Sequence, residues 1–235
     1  MRITSLLLLA ALLTVPAFSL PTFPLVFTDP LASADSADVI GDPNLFDISS
    51  LTFASFNSGT KRFTVEILFN YGGSASLEEF SVGGAFSTLN VGDLLFSNGG
   101  LNYAVQLRSR GGLTAGNLYQ VTGTQTAKQV LGLGSDQDGN YRPNQAVWGS
   151  TTGATLIGTG NSTVVSTGGP TNLKVKLDFA AHNAFINGFD TSSFAFSAAT
   201  CGNDVITGNV PETGTWALLG TGLIGLGLIR RRNVV

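Results

Sequence analysis

The stretch LKVKLDF, residues 173–179, alternates without a break. Leu173, Val175, Leu177 and Phe179 are apolar, while Lys174, Lys176 and Asp178 are charged. Side chains of a strand point to opposite faces in turn, so this segment offers one face to a core and one to water. Wound as a helix, the same residues would spread charge around the whole cylinder. RFTVEILF, residues 62–69, has the same period and puts Phe63, Val65, Ile67 and Phe69 on one face. Two long half-buried strands of this kind imply a sheet that buries a single face against a second layer.

Working outward, further runs are rich in aromatic and β-branched residues. The expected strands are 25–28, 45–56, 62–70, 91–97, 101–108, 118–123, 146–148, 155–157, 163–166, 173–179 and 194–198. Glycine pairs at 72–73, 83–84, 99–100, 111–112 and 168–169 separate many of them and suit turns that need positive φ. Long amphipathic helices are missing from the pattern, although a short helix fits residues 180–187. The reading is an all-β protein, an antiparallel β-sandwich of jelly-roll or other Greek-key form. A β-solenoid is the alternative, but no fixed repeat supports it.

Composition agrees with a folded body. Hydrophobic residues make up 43% of the 235-residue chain, charged residues only 11%, and the formal net charge is −3. Disordered chains show the opposite balance. With no basic stripe to neutralise phosphates, a nucleic-acid partner is not expected. Cys201 is the single cysteine, which excludes an intramolecular disulfide and suggests a buried thiol.

The two ends differ from the body. Residues 1–19 combine Arg2, an apolar run from Leu6 to Val15 and small residues at cleavage spacing, the pattern of a secretory signal peptide cut after Ala17 or Ser19. The body then spans residues 20–209. The last 26 residues read VPETGTWALLGTGLIGLGLIRRRNVV, residues 210–235. Pro211 biases Val210 away from helix. Residues 216–229 are uncharged, a short membrane-spanning helix with Trp216 at one interface and Arg230, Arg231 and Arg232 as a cytoplasmic basic anchor.

Val210-Pro211-Glu212, Trp216-Ala217-Leu218-Leu219-Gly220 and the terminal arginines resemble, in order and spacing, the PEP-CTERM sorting signal of bacterial exosortase substrates. The resemblance is confined to 210–235. It implies an exosortase-like membrane protease as partner, a precursor anchored in the inner membrane by its C-terminal helix, and delivery to the cell surface or extracellular matrix. Thr213 departs from the family, which usually has a second proline there. Val210-Pro211-Glu212-Thr213-Gly214 therefore also resembles a sortase signal cleaved after Thr213, and an uncleaved permanent anchor is a third reading. The segments 91–96 and 141–148 are similar to stretches in the uncharacterised bodies of other PEP-CTERM proteins, a resemblance that implies no activity.

Chemistry-bearing patterns in the body are sparse. Asp136, Asp138 and Asn140 alternate as the first oxygen ligands of a Ca²⁺ loop do, though Tyr141 and Val147 stand where glycine and a closing glutamate are usual. An Asp-Gly hairpin turn is the competing reading. Asp35, Asp38 and Asp42 form a second acidic loop. His182, the one histidine, argues against a catalytic triad and suits a turn or helix end. Glu78 and Glu79 are neighbours that a strand would send to opposite faces, so they do not make an acid pair. Tyr141 and Trp148 are the aromatics expected to be exposed, as stacking platforms for sugar. The expected function is a non-enzymatic structural or adhesive surface protein. A carbohydrate-binding module of the exopolysaccharide matrix is the first alternative, and a hydrolase with carboxylates assembled from distant loops is the second.

Overall fold

A computed structural model of the chain describes residues 20–29, 39–81, 88–133, 141–167 and 172–211. Numbered in chain order, β1 (Leu25–Thr28), β2 (Ile48–Asn57), β3 (Arg62–Asn70), β10 (Gly160–Ser166) and β11 (Asn172–Ala180) form one antiparallel sheet. Its order is β1-β2-β3-β11-β10. A second antiparallel sheet contains β4 (Leu94–Asn98), β5 (Leu101–Val105), β6 (Leu118–Val121), β9 (Thr155–Gly158), β12 (Ser193–Ser197) and β13 (Val205–Asn209). Here the order is β13-β12-β4-β5-β6-β9. A two-stranded ribbon, β7 (Thr124–Thr126) with β8 (Ala146–Gly149), completes the strands described.

The alternating stretches at 62–69 and 173–179 are neighbours at the centre of the first sheet. Phe63 faces Phe179, Val65 faces Leu177, Ile67 faces Val175 and Phe69 faces Leu173. All eight are buried. On the solvent side of the same ladder Lys174 Nζ meets Glu66 at 2.6 Å and Arg62 pairs with Asp178. One period thus sorts both the core and the surface charges.

Aromatic rings join the two sheets. Phe53 of β2 packs against Phe96 of β4 and Phe194 of β12, at 6.0 and 5.5 Å between centroids. Phe69 of β3 meets Phe196 of β12 at 5.2 Å. Such edge and tilted contacts let bulky rings fill the space between two sheets. The sheets share one large core, and the chain is an all-β sandwich, as its alternation leads one to expect.

The six-stranded sheet buries part of its outer face as well. Leu95, Ala104, Tyr119 and Val121 form a smaller cluster there, with Leu113, Ala146 and Ala154 against it. The β7–β8 ribbon lies over this cluster. A Cβ on Gly149 would sit 2.6 Å from Cβ of Ala104, so only glycine lets the ribbon approach so closely.

Several expectations are corrected. Leu45 and Phe46, assigned to a strand, belong to helix α1 (Pro43–Phe46). Asp42 caps it by accepting from the Asn44 N–H, and Pro43 takes a first-turn position where no N–H is needed. Helix α2 (Ala127–Leu131) and strands β7 and β13 had no expected counterpart. The helix expected at 180–187 is the shorter α3 (Asn183–Asn187), with His182 as its cap. Gly99 and Gly100 form the two-residue turn between β4 and β5, both with positive φ, as do Gly111 and Gly112 in a second tight turn. Gly72 and Gly73 do not adopt positive φ; a Cβ at either would collide with Phe80 or with Tyr71 and the Glu78 carbonyl.

Candidate functional site

Several residues nominated by sequence lie outside the described residues: Asp136, Asp138 and Asn140, together with Asp35 and Asp38. Asp42 is accounted for as the α1 cap. Among the described residues no group of three His, Cys, Asp or Glu side chains is arranged to hold a metal. Of the sorting motif, Val210 is buried and Pro211 is exposed; Glu212, Thr213, Gly214, Trp216 and Arg230, Arg231 and Arg232 lie outside the described residues. No helix among the described residues is long and apolar enough to cross a membrane. Cys201 is fully buried, and burial pushes its thiol up to about 12.

Tyr141 is not the exposed platform expected of it. It is 3% exposed and belongs to the main core. Trp148 is half-buried on β8, its indole Nε1–H donating to the Val91 carbonyl at 3.0 Å. The Arg110 guanidinium lies 4.2 Å from the ring centre, so a cation already occupies one indole face. That face is closed to a stacking sugar.

Trp148 instead leads to a polar network whose centre is Asp93. Asp93 directly precedes β4 and is 2% exposed. Its N–H donates to the Val147 carbonyl. Its Oδ2 accepts from the Gly149 N–H at 2.9 Å, from Gln106 Nε2 at 3.0 Å and from Arg110 Nη2. Arg110 Nη2 also donates to the Gly149 carbonyl at 3.0 Å. One carboxylate therefore ties together the start of β4, the segment after β5 and the end of the covering ribbon. Burial raises the Asp93 carboxyl to about 6, against the charge of Arg110 and the hydrogen bonds of Gly149, Arg110 and Gln106. Gln106 Oε1 and Arg110 Nε are both buried without a hydrogen-bond partner among the described residues.

Beside this network opens a pocket of about 260 Å³, lined by Glu79, Asn90, Asp93, Arg108, Ser109 and Trp148, with Val91 and Arg110 completing it. Arg108 Nη1 donates to Asn90 Oδ1 at 2.9 Å and stands 3.8 Å from Glu79 Oε1. A larger groove of about 410 Å³ crosses β4, β12 and β13 near Ala146, and no charged side chain lines it. Charge chemistry is thus concentrated in the smaller pocket.

Sequence reasoning missed most of this site. A strand would send Glu78 and Glu79 to opposite faces, but the segment is not a strand and Glu79 shares the pocket with Asp93. Two signals were present. Asp93 is a charge in front of the apolar run Leu94-Leu95-Phe96, and Arg108-Ser109-Arg110 places two cations together in a chain poor in charge. The segments 91–96 and 141–148, singled out for similarity alone, are brought into contact by the bonds of Asp93, Val91, Val147, Trp148 and Gly149. Compared with family models, curated proteins and solved structures, the chain matches none.

Proposed function

We propose that the chain is an exported bacterial surface or matrix protein, its body a non-enzymatic structural or adhesive sandwich of Greek-key type and its tail an address read by an exosortase-like protease. The observation that carries this reading is the hand-over at Val210. Val210 is 2% exposed and its N–H donates to the Ser192 carbonyl at 2.8 Å, while Pro211 is exposed. Burial thus gives way to exposure within the motif itself, between Val210 and Pro211, which suits a tail that a membrane protease must reach. The return of β12 to the side of β4, next to the β4-β5-β6 run, supports the Greek-key description.

The test is intact mass spectrometry of the mature protein from the surface fraction of its native host. A C-terminus close to residues 211–214 is expected. Thr213 joined to wall material would assign the tail to a sortase, and a retained Val235 would make the segment a permanent anchor; either result overturns the exosortase reading. A hydrolase reading has one observation in its favour, the shared pocket of Glu79 and Asp93. Against it, Asp93 Oδ2 already accepts three hydrogen bonds, which suits a strut better than an acid poised to give up a proton.

A further inference from the structure

We propose that the pocket beside Trp148 binds one carboxylate-bearing sugar residue, a uronic acid unit of an acidic polysaccharide, with Arg108 as the anchor for its carboxylate. The proposal is independent of how the tail is processed.

The argument begins with the two arginines of the pocket. Arg110 is committed: it is paired with Asp93, donates to the Gly149 carbonyl and stacks on Trp148. Arg108 is not. Only its Nη1 has a hydrogen-bond partner among the described residues, the Asn90 side chain. Its separation of 3.8 Å from Glu79 is well beyond the length of a charge-assisted hydrogen bond, about 2.7–2.9 Å. The Nη2 and Nε edge of Arg108 therefore keeps its donors, and that planar fork matches a carboxylate in bidentate fashion. Asn90 holds the guanidinium from the other side, so part of the ordering cost is met before a ligand arrives.

The bonding pattern favours a carboxylate. Two arginines and two carboxylates line the pocket, so its formal charge balances, but Arg108 alone of the two arginines has a whole edge of donors still to use. A phosphate dianion would meet too little positive charge. A neutral ligand would leave the Arg108 fork unused.

The remaining walls suit hydroxyl groups. Asn90 Oδ1 is taken by Arg108, and its Nδ2 makes no hydrogen bond among the described residues. Ser109 Oγ accepts from the Ala115 N–H at 2.9 Å and retains its own hydrogen for donation. The Glu79 carboxylate is an acceptor for vicinal hydroxyls. Trp148 supplies an apolar wall whose position is fixed by the Val91 carbonyl. A volume of about 260 Å³ corresponds to roughly nine waters and admits a single sugar ring. The pocket opens at the surface, so one ring of a longer chain can occupy it.

Isothermal titration of the full chain in detergent with galacturonate, tetragalacturonate, galactose and acetate tests this. The uronate and its oligomer are expected to bind at least tenfold more tightly than galactose or acetate. A better oligomer identifies the polymer as the source, and equal affinities identify the free sugar acid. Arg108→Met should lose binding by at least tenfold while the unfolding midpoint stays put, Arg108→Lys should lose most of it because the fork is gone, and Glu79→Gln should tighten binding several-fold. Equal binding of galactose, equal binding of acetate, no binding of any probe, unchanged binding in Arg108→Met, or cleavage of the oligomer would each overturn the proposal.

Discussion

At the scale of single residues, Asp93 and its three donors set what can be changed. Removing the carboxylate leaves the Gly149 N–H, Gln106 and the Arg110 guanidinium without their acceptor, in a place water reaches poorly. Breaking a buried charged pair from one side costs about 3–5 kcal/mol, so Asp93→Ala should lose roughly that much in urea unfolding. The proton linkage of Asp93 runs opposite to that of an ordinary paired carboxylate. Its folded value of about 6 lies above the unfolded 3.8, so the native state binds the proton more tightly. The contribution is fully present below pH 3.8 and is lost as pH rises through about 6, on the order of 3 kcal/mol. Asp93→Asn keeps an acceptor oxygen but has no proton to lose. It should flatten the stability profile between pH 4 and pH 7, and unfolding curves of both proteins across that range check the sign. Glycine gives a second contrast. Gly99 has φ +55° and open space around it, whereas Gly149 has ordinary φ and a neighbour at 2.6 Å. Gly99→Ala should cost about 1 kcal/mol through backbone strain alone, and Gly99→Asn less. Gly149→Ala should cost more by lifting the ribbon off Ala104, a loss read as faster hydrogen exchange in β7 and β8.

At the scale of elements, the pairing of β3 with β11 turns a one-residue difference into opposite outcomes. Leu177 lies opposite Val65 and is fully buried, while Lys176 lies opposite Glu66 and is exposed. Leu177→Lys would bury an unpaired ammonium and should leave the protein unfolded at 25 °C, whereas Lys176→Leu should change stability by less than about 1 kcal/mol. Circular dichroism and thermal melts of the two variants separate them. The same physics explains which elements could be read from sequence. β3 and β11 sit between a core and water, so burial writes a period of two into them, and their bounds emerge to within a residue. β13, read as Val-Ile-Thr-Gly-Asn, is an edge strand whose only inward residues are Ile206 and a glycine packed against Phe194, too little apolar signal to stand out. β7 is three polar residues held by its partner and by the helix that follows. α1 could have been recognised from Asp42-Pro43, but the apolar residues that follow, Leu45, Phe46 and Ile48, read equally well as the start of β2. The pocket was the least legible part. Glu79, Asn90, Asp93, Arg108 and Trp148 come from four separate segments; the β4–β5 hairpin and the long-range return of β8 bring them together.

At the scale of the whole molecule, the question is where the fold ends and the proposed address begins. β13 pairs with β12 along its full length, and Val210 adds a buried side chain and a hydrogen bond to Ser192. Beyond that residue, Pro211 is exposed and has no N–H to give. At the other end Leu20 and Phe23 already pack against the core, and Phe23 lies 6.2 Å from both Phe63 and Phe189. The body keeps these contacts when residues 1–19, the expected leader, are removed, and should stay folded without them. It should tolerate removal of the tail equally. A protein ending at Pro211 is expected to melt within a degree or two of one ending at Gly214, because both keep Val210, the last residue described as buried. Ending the chain at Asp204 instead deletes β13, exposes Phe194 and Phe196 of β12 along the new edge and removes the cover that Val210 provides. That truncation should lower the melting temperature by many degrees and promote association through the bared edge strand. Differential scanning calorimetry and light scattering on the three proteins locate the boundary. Equal melting of all three would show that β13 adds nothing to the stability of the fold and that the packed body ends before Val205.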